Sequence, residues 1–155
     1  MSVELMVLSE RRVASMPDWQ QAIDMEGLSV TLAADASIEM LDGFLPVRSS
    51  DTQTGFECDH CEVEEILTLY PNVNFGRRWS YGLVFRWGGD LDACLAASIS
   101  AAAYAKASGG IVFDPQDGSV TSFQEAFIQA KEMRRELKKL KELARVTAAR
   151  IGSGS

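Results

Sequence analysis

Residues 79–87 read Trp-Ser-Tyr-Gly-Leu-Val-Phe-Arg-Trp and alternate without a break. Trp79, Tyr81, Leu83, Phe85 and Trp87 share one parity, while Arg78, Ser80, Gly82, Val84 and Arg86 share the other. A strand sends successive side chains to opposite faces, whereas a helix would scatter these rings around its circumference. The pattern therefore predicts a central strand with an aromatic face on a core and a polar face turned away from it. The rest of the chain has to supply the elements that cover the aromatic face.

The segments before this strand are short and sharply punctuated. Residues 3–8 (VELMVL) predict a strand. Ser15, followed by Pro17 and Asp18, has the chemistry of a helix start, and Gly27 closes the helix PDWQQAIDME. Residues 28–32 (LSVTL) alternate as a strand does. Residues 35–43 (DASIEMLDG) predict a helical turn or two. FLPVR, residues 44–48, is expected as a strand in which Pro46 needs an edge or a bulge. SSDTQTG then reads as a loop, and FECDHC as the return arm of a hairpin. Val63, Ile66, Leu67 and Tyr70 fall at i, i+3, i+4 and i+7, the spacing of a short amphipathic helix.

After the aromatic strand, Gly88-Gly89-Asp90 turns the chain into LDACLAASISAAAYAKAS. Asp90 suits a helix cap and Asp92 the positive end of the helix. Small apolar residues ring this segment, so it is expected to lie buried against a sheet. Gly109-Gly110 ends it. IVFDPQDGSV predicts a strand, a turn and an extended stub. Phe123, Ala126, Ala130, Met133, Leu137, Leu140 and Ala144 form a seam at helical spacing, which predicts a long C-terminal amphipathic helix over about 122–148. Residues 151–155 (IGSGS) have the composition of a flexible tail. These elements describe one α+β domain over 1–150: a mostly antiparallel sheet, helices packed on one face, and the long helix at the end.

Charge divides the chain in two. Residues 1–130 carry 7 Lys and Arg against 19 Asp and Glu, a net −12, whereas residues 131–155 carry 8 against 3, a net +5. An acidic body repels nucleic acid and attracts basic partners. The basic end is expected to fold back on the body or to reach elsewhere, with self-association through the C-terminal helix as one use of its seam. The first residues, MSVELMVLSE, are too short and too acidic for a signal peptide, and no apolar run reaches about 18 residues. The expectation is a cytoplasmic protein with reduced thiols and no membrane partner.

The stretch GFECDHCEVEE gathers Cys58, His60 and Cys61 within four residues. A structural zinc site needs four ligands, usually two separated pairs, and the remaining cysteine, Cys94, lies in the predicted buried helix. A redox pair needs a lowered thiol pKa, which Glu57, Asp59, Glu62, Glu64 and Glu65 around the cysteines oppose. No G-x-S-x-G, phosphate-binding loop or dinucleotide glycine motif is present. The thiols read as incidental, so their replacement by serine is expected to leave the fold nearly unchanged. No catalytic residue, metal site or cofactor is expected. An enzyme centred on Cys58, His60 and Cys61 is the alternative. Arg78 and Arg86 read as structural ion-pair residues on the polar face of the aromatic strand.

MPDWQQAID, LDGFLPV, TGFECDH, FRWGGDLDACLAA and GGIVFDPQDG together resemble an uncharacterised bacterial family of small α+β proteins, over roughly residues 10–125. That family is associated with the immunity proteins of polymorphic toxin systems. The resemblance implies a binding protein that neutralises a basic toxin domain by direct contact. None of these motifs is a catalytic signature. The partner-binding set expected from the local charge is Glu57, Asp59, His60, Glu62, Glu64 and Glu65.

Overall fold

In the computed structural model, which describes residues 3–153, seven strands form one antiparallel sheet. The strands are β1 (Val3–Ser9), β2 (Val30–Leu32), β3 (Phe44–Ser49), β4 (Thr52–Cys61), β5 (Tyr81–Trp87), β6 (Gly110–Asp114) and β7 (Ser119–Thr121). Their spatial order is β2-β3-β4-β5-β1-β6-β7. The helices are α1 (Met16–Asp24), α2 (Val63–Leu69), α3 (Leu91–Ser108) and α4 (Phe123–Ser153), with a 3₁₀ turn at Ile38–Met40. The α+β class and the long C-terminal helix are as the sequence predicts.

Local chemistry sets the element ends. The Ser15 hydroxyl accepts the Asp18 N–H at 3.2 Å and starts α1. Asp90 accepts the Asp92 N–H at 3.0 Å and starts α3. Ser122 does the same for Glu125 at α4. Gly109 closes α3 at φ 68°, a left-handed conformation that costs a residue with a Cβ energy. Pro46 lies one position beyond the reach of β2, which pairs only with Val47–Ser49. The Pro46 carbonyl accepts the Ala33 N–H at 3.1 Å. Its nitrogen, on the same side of β3, therefore faces the sheet where β2 has ended, and no ladder bond is lost.

The main core lies between one face of the sheet and α1, α3 and α4. Val7, Phe56, Cys58, Leu83, Phe85 and Trp87 point into it from the strands. Trp19 of α1 is fully buried there, meets Phe85 and Tyr104 edge-on, and donates its indole N–H to the Ser100 carbonyl at 2.9 Å. Helix α3 is buried on nearly all sides, as its ring of alanines and serines requires for close approach to both α1 and the sheet. Its one buried side-chain oxygen without a partner among the described residues is Ser100 Oγ.

The opposite face is where expectation and structure part. Met6, Leu8, Val84 and Phe113 form a second apolar cluster under α2 and Phe75. Val84, assigned by alternation to a polar face, is thus buried, and α2 packs opposite the other helices. Trp79 precedes the strand and joins this second cluster, donating its indole N–H to the Phe75 carbonyl at 2.8 Å. Tyr81 is exposed, with the Arg12 guanidinium 5.0 Å over its ring. The aromatic face of the strand therefore reduces to Leu83, Phe85 and Trp87. The alternation holds from Leu83 to Trp87 and fails at Trp79 and Tyr81, and sequence parity cannot tell that a second layer covers half of the other face.

Two further boundaries move. The expected loop SSDTQTG shrinks to a turn at Ser50–Asp51, and β4 starts already at Thr52. The expected tail is helical through Ser153, while Gly154 and Ser155 lie outside the described residues.

Candidate functional site

Strand geometry takes the 58–65 cluster apart. Cys58 and Cys61 are an odd number of residues apart in β4, so they point to opposite faces of the sheet. Cys58 is fully buried in the main core, and Cys61 packs against the second cluster beside Gly82. Burial, and then Asp59, push the Cys58 thiol well above its ordinary value. Burial, and then Glu65, push Cys61 up to about 11. His60 shares the face of Cys58, and its Nε2 lies 2.7 Å from the Ile38 carbonyl, which ties β4 to the 3₁₀ turn. Cys58, His60 and Cys61 do not converge. Among the described residues, no group of three His, Cys, Asp or Glu side chains is placed to hold a metal ion.

The six residues expected to bind a partner divide the same way. Asp59 accepts the Gly43 N–H at 2.8 Å and lies 3.5 Å from Arg86, so it is a structural tie. His60 is likewise structural. Glu57, Glu62, Glu64 and Glu65 are exposed. Glu62, Glu64 and Glu65 stand at the N-terminal end of α2, where the helix dipole favours negative charge. Arg86 bonds Glu4 at 2.8 Å, and that hydrogen bond, outweighing burial, raises the guanidinium's pKa further. Arg78 lies outside the strand and is exposed.

The larger feature escaped the sequence reading. Helix α2 covers the second face only over β5, β1 and β6. Over β3 and β4 that face is open, and Phe44, Pro46 and Arg48 stand exposed on it. A groove of about 700 Å³ follows β4 here. Phe44, Pro46 and Gly55 form one wall, Arg86 to Gly88 with Asp90 and Ala93 form the other, and Phe56 and Glu57 also line it. The Phe44 ring lies across Gly55, where an added Cβ would overlap the ring and come within 2.6 Å of the Leu45 carbonyl oxygen.

The groove exists because β4 and β5 part company. Their ladder runs from Cys61↔Gly82 to Glu57↔Arg86 and stops. Beyond it the chain leaves β5 through Gly88 and Gly89 to start α3 on the core face, with Asp90 reached by the Thr54 hydroxyl at 3.3 Å. Strand β4 continues without it, paired on its other side to β3 as far as Ser49↔Thr52. The Cys58 N–H bonds the Gly43 carbonyl, so the even residues of β4 turn their backbone toward β3 and the odd ones away. The N–H and C=O groups of Gln53 and Gly55 therefore open on the groove. Its lining carries two carboxylates, Glu57 and Asp90, and one cation, Arg86, which Glu4 and Asp59 already hold. Arg48, opposite Gln53, stands at the far end, outside the lining.

The signal for this site was present in the alternation of residues 53–59. Gln53, Gly55, Glu57 and Asp59 are polar or lack a side chain, while Phe56 and Cys58 are apolar. Starting the strand at Phe56 rather than Thr52 hid it.

Among the described residues no helix is long and apolar enough to cross a membrane. No protein family, curated protein or solved structure matches the chain.

Proposed function

We propose that this chain is a cytoplasmic binding protein that captures a basic protein partner on the open part of its second sheet face, acting as an immunity protein does toward its toxin. The observation that carries the proposal is the groove along β4, with Glu57 and Asp90 in its lining, its one guanidinium already held by Glu4 and Asp59, and an exposed Phe44 on its wall. An apolar anchor beside unneutralised charge is the composition of a protein-binding surface. Beyond the C-terminal end of β4, away from Arg48, the carboxylates continue through Glu62, Glu64 and Glu65, and the body as a whole carries net negative charge. Such a field speeds the encounter with a cationic partner.

The test is capture of a partner on the immobilised protein, followed by association kinetics with that partner purified. Charge reversal at Glu57 and Glu64 to Lys is expected to slow association and flatten its dependence on salt between about 50 and 300 mM, with melting temperature unchanged. Co-expression then asks whether the chain relieves any toxicity of that partner. An on-rate insensitive to both salt and charge reversal overturns the proposal.

A second reading, of an adaptor working through α4, has its own observation. Past Lys141, which bonds Asp92 at 2.6 Å, the helix leaves the body with Leu143 exposed beside the seam and Ile151 exposed on its continuation. Lys138, Lys139, Lys141, Arg145 and Arg150 flank that seam, so two copies side by side would repel, and the reading favours an acidic partner helix. Sedimentation of the purified chain at low salt separates self-association from this.

A further inference from the structure

We infer that the groove beside β4 is a strand-acceptor slot: a partner's extended, cationic segment pairs its backbone with Gln53 and Gly55. This rests on the reading of the acidic face as the binding surface and specifies how the partner is held.

Three observations lead there. The first is the unpaired edge. Where β5 peels away, Gln53 and Gly55 present two N–H and two C=O groups in strand geometry to an open groove. Backbone groups of this kind are a template for an added strand. The second is clearance. Gly55, Gly88 and Gly89 put no side chain in the path, and an added Cβ at Gly88 or Gly89 would meet nothing within 4 Å. Another backbone can therefore approach closely. The third is lining. Phe56, Trp87 and Ala93 offer apolar surface within the groove, and Phe44 forms its wall. A segment that alternates cationic and small apolar side chains fits this slot, with its apolar residues toward Phe56 and Trp87 on the core side and its cations toward Glu57 on the other. Arg48 at the far end disfavours a cation there and so gives the segment a direction.

A second copy of this chain is the competing occupant. The unpaired stretch of β4 is flanked by Asp51 and Glu57, which a two-fold antiparallel pairing centred on Thr54 would set opposite each other, and this favours the cationic segment.

The test uses the full chain labelled with ¹⁵N and a synthetic nine-residue peptide of alternating Lys and Val. The expected result is binding with a Kd at or below about 1 mM, with the Gln53 and Gly55 amide signals moving and their exchange with solvent slowing. Gln53→Pro removes one donor from the open side of β4 and none from its ladder with β3. It is expected to weaken the peptide by about five- to tenfold, the worth of one backbone bond, while the fold is retained. The same peptide N-methylated at alternate amides, in the register that faces β4, is expected not to bind.

Equal binding of the methylated peptide, or equal binding to the Gln53→Pro protein, overturns strand pairing while leaving the acidic face as an ionic contact. A Glu-Val peptide that binds as well as Lys-Val overturns the cationic occupant. Protection of the Gln53 and Gly55 amides in a dimer without peptide assigns the slot to a second copy and also overturns the inference. A Lys-Val peptide that moves no signal in the slot overturns it too, and the kinetics of the captured partner then decide the binding surface separately.

Discussion

Cys58 and Cys61 stand three residues apart on β4 and face opposite sides of the sheet, one in each apolar cluster. Cys58 is fully buried in the main core opposite Phe85, so its exchange for serine is expected to be costly, against the expectation from sequence. Cys58→Ser buries a hydroxyl among apolar groups and is expected to cost about 1–3 kcal/mol, whereas Cys58→Ala and Cys61→Ser should cost less. Urea melts of the three variants check the order. Both thiols are raised by burial, so reaction with a disulfide reagent at pH 8 is expected to be slow at either position until the protein unfolds.

Phe85 and Tyr81 belong to the same parity of β5 but not to the same environment. Phe85→Ala is expected to cost about 3–5 kcal/mol, because it removes a fully buried ring that Trp19 and Phe56 both contact. Tyr81→Ala is expected to cost under about 1 kcal/mol, since it loses only an exposed ring and its contact with Arg12. Equal losses would show that the elements over the main-core face cover Tyr81 as they cover Phe85.

Gly55 and Phe44 are expected to be energetically coupled. Gly55→Ala forces the Phe44 ring aside and crowds the Leu45 carbonyl, with an expected cost of about 1–3 kcal/mol. In the Phe44→Ala background the ring is gone and the backbone contact remains, so part of the cost should persist. A double-mutant cycle measures the difference.

Glu26 closes a link between three helices. Its carboxylate, just past α1, bonds Lys131 of α4 at 2.8 Å and lies 3.5 Å from Lys106 of α3. The hydrogen bond from Lys131, reinforced by the charges of both lysines and opposed by burial, holds its pKa below the ordinary 4.5. A carboxyl depressed in the folded state stabilises fully above its unfolded pKa and loses that contribution as pH falls through the folded one. Glu26→Gln is therefore expected to lower stability at pH 7 by about 1 kcal/mol and to make little difference at about pH 2. Chemical melts at the two pH values test it.

Leu137 is the last seam residue of α4 buried against the body, and residues 140–152 are exposed. Leu137→Ala is expected to cost about 2–3 kcal/mol, while removal of residues after Lys141 should shift stability by no more than about 0.5 kcal/mol. Thermal melts of the two variants compare them directly.

The α+β class, the near-complete element order and the burial of α3 were legible because each rests on local chemistry. Ser15, Asp90 and the glycines mark ends, and alternation or helical spacing marks type. Three things were not legible, and each is a property of two segments at once. Val84 is buried because α2, a separate segment, lies over it. His60 and Asp59 are structural because Ile38 and Gly43 come back to meet them. The groove exists because β4 outruns β5, a mismatch of lengths that no single strand records.

The sheet order has a consequence for the timing of synthesis. Strand β1 sits between β5 and β6, so its nearest ladder partners are Tyr81–Trp87 and Gly110–Phe113. On a ribosome adding about 5–20 residues per second, β1 emerges first and waits roughly 4–20 s for either neighbour. During that interval Met6, Val7 and Leu8 have no sheet to enter, while β2, β3 and β4 pair with one another as they appear. The nascent chain is thus expected to build one flank of its sheet first and to admit β1 into the middle only when β5 arrives. Slow, late closure around β1 is the expected rhythm of its folding.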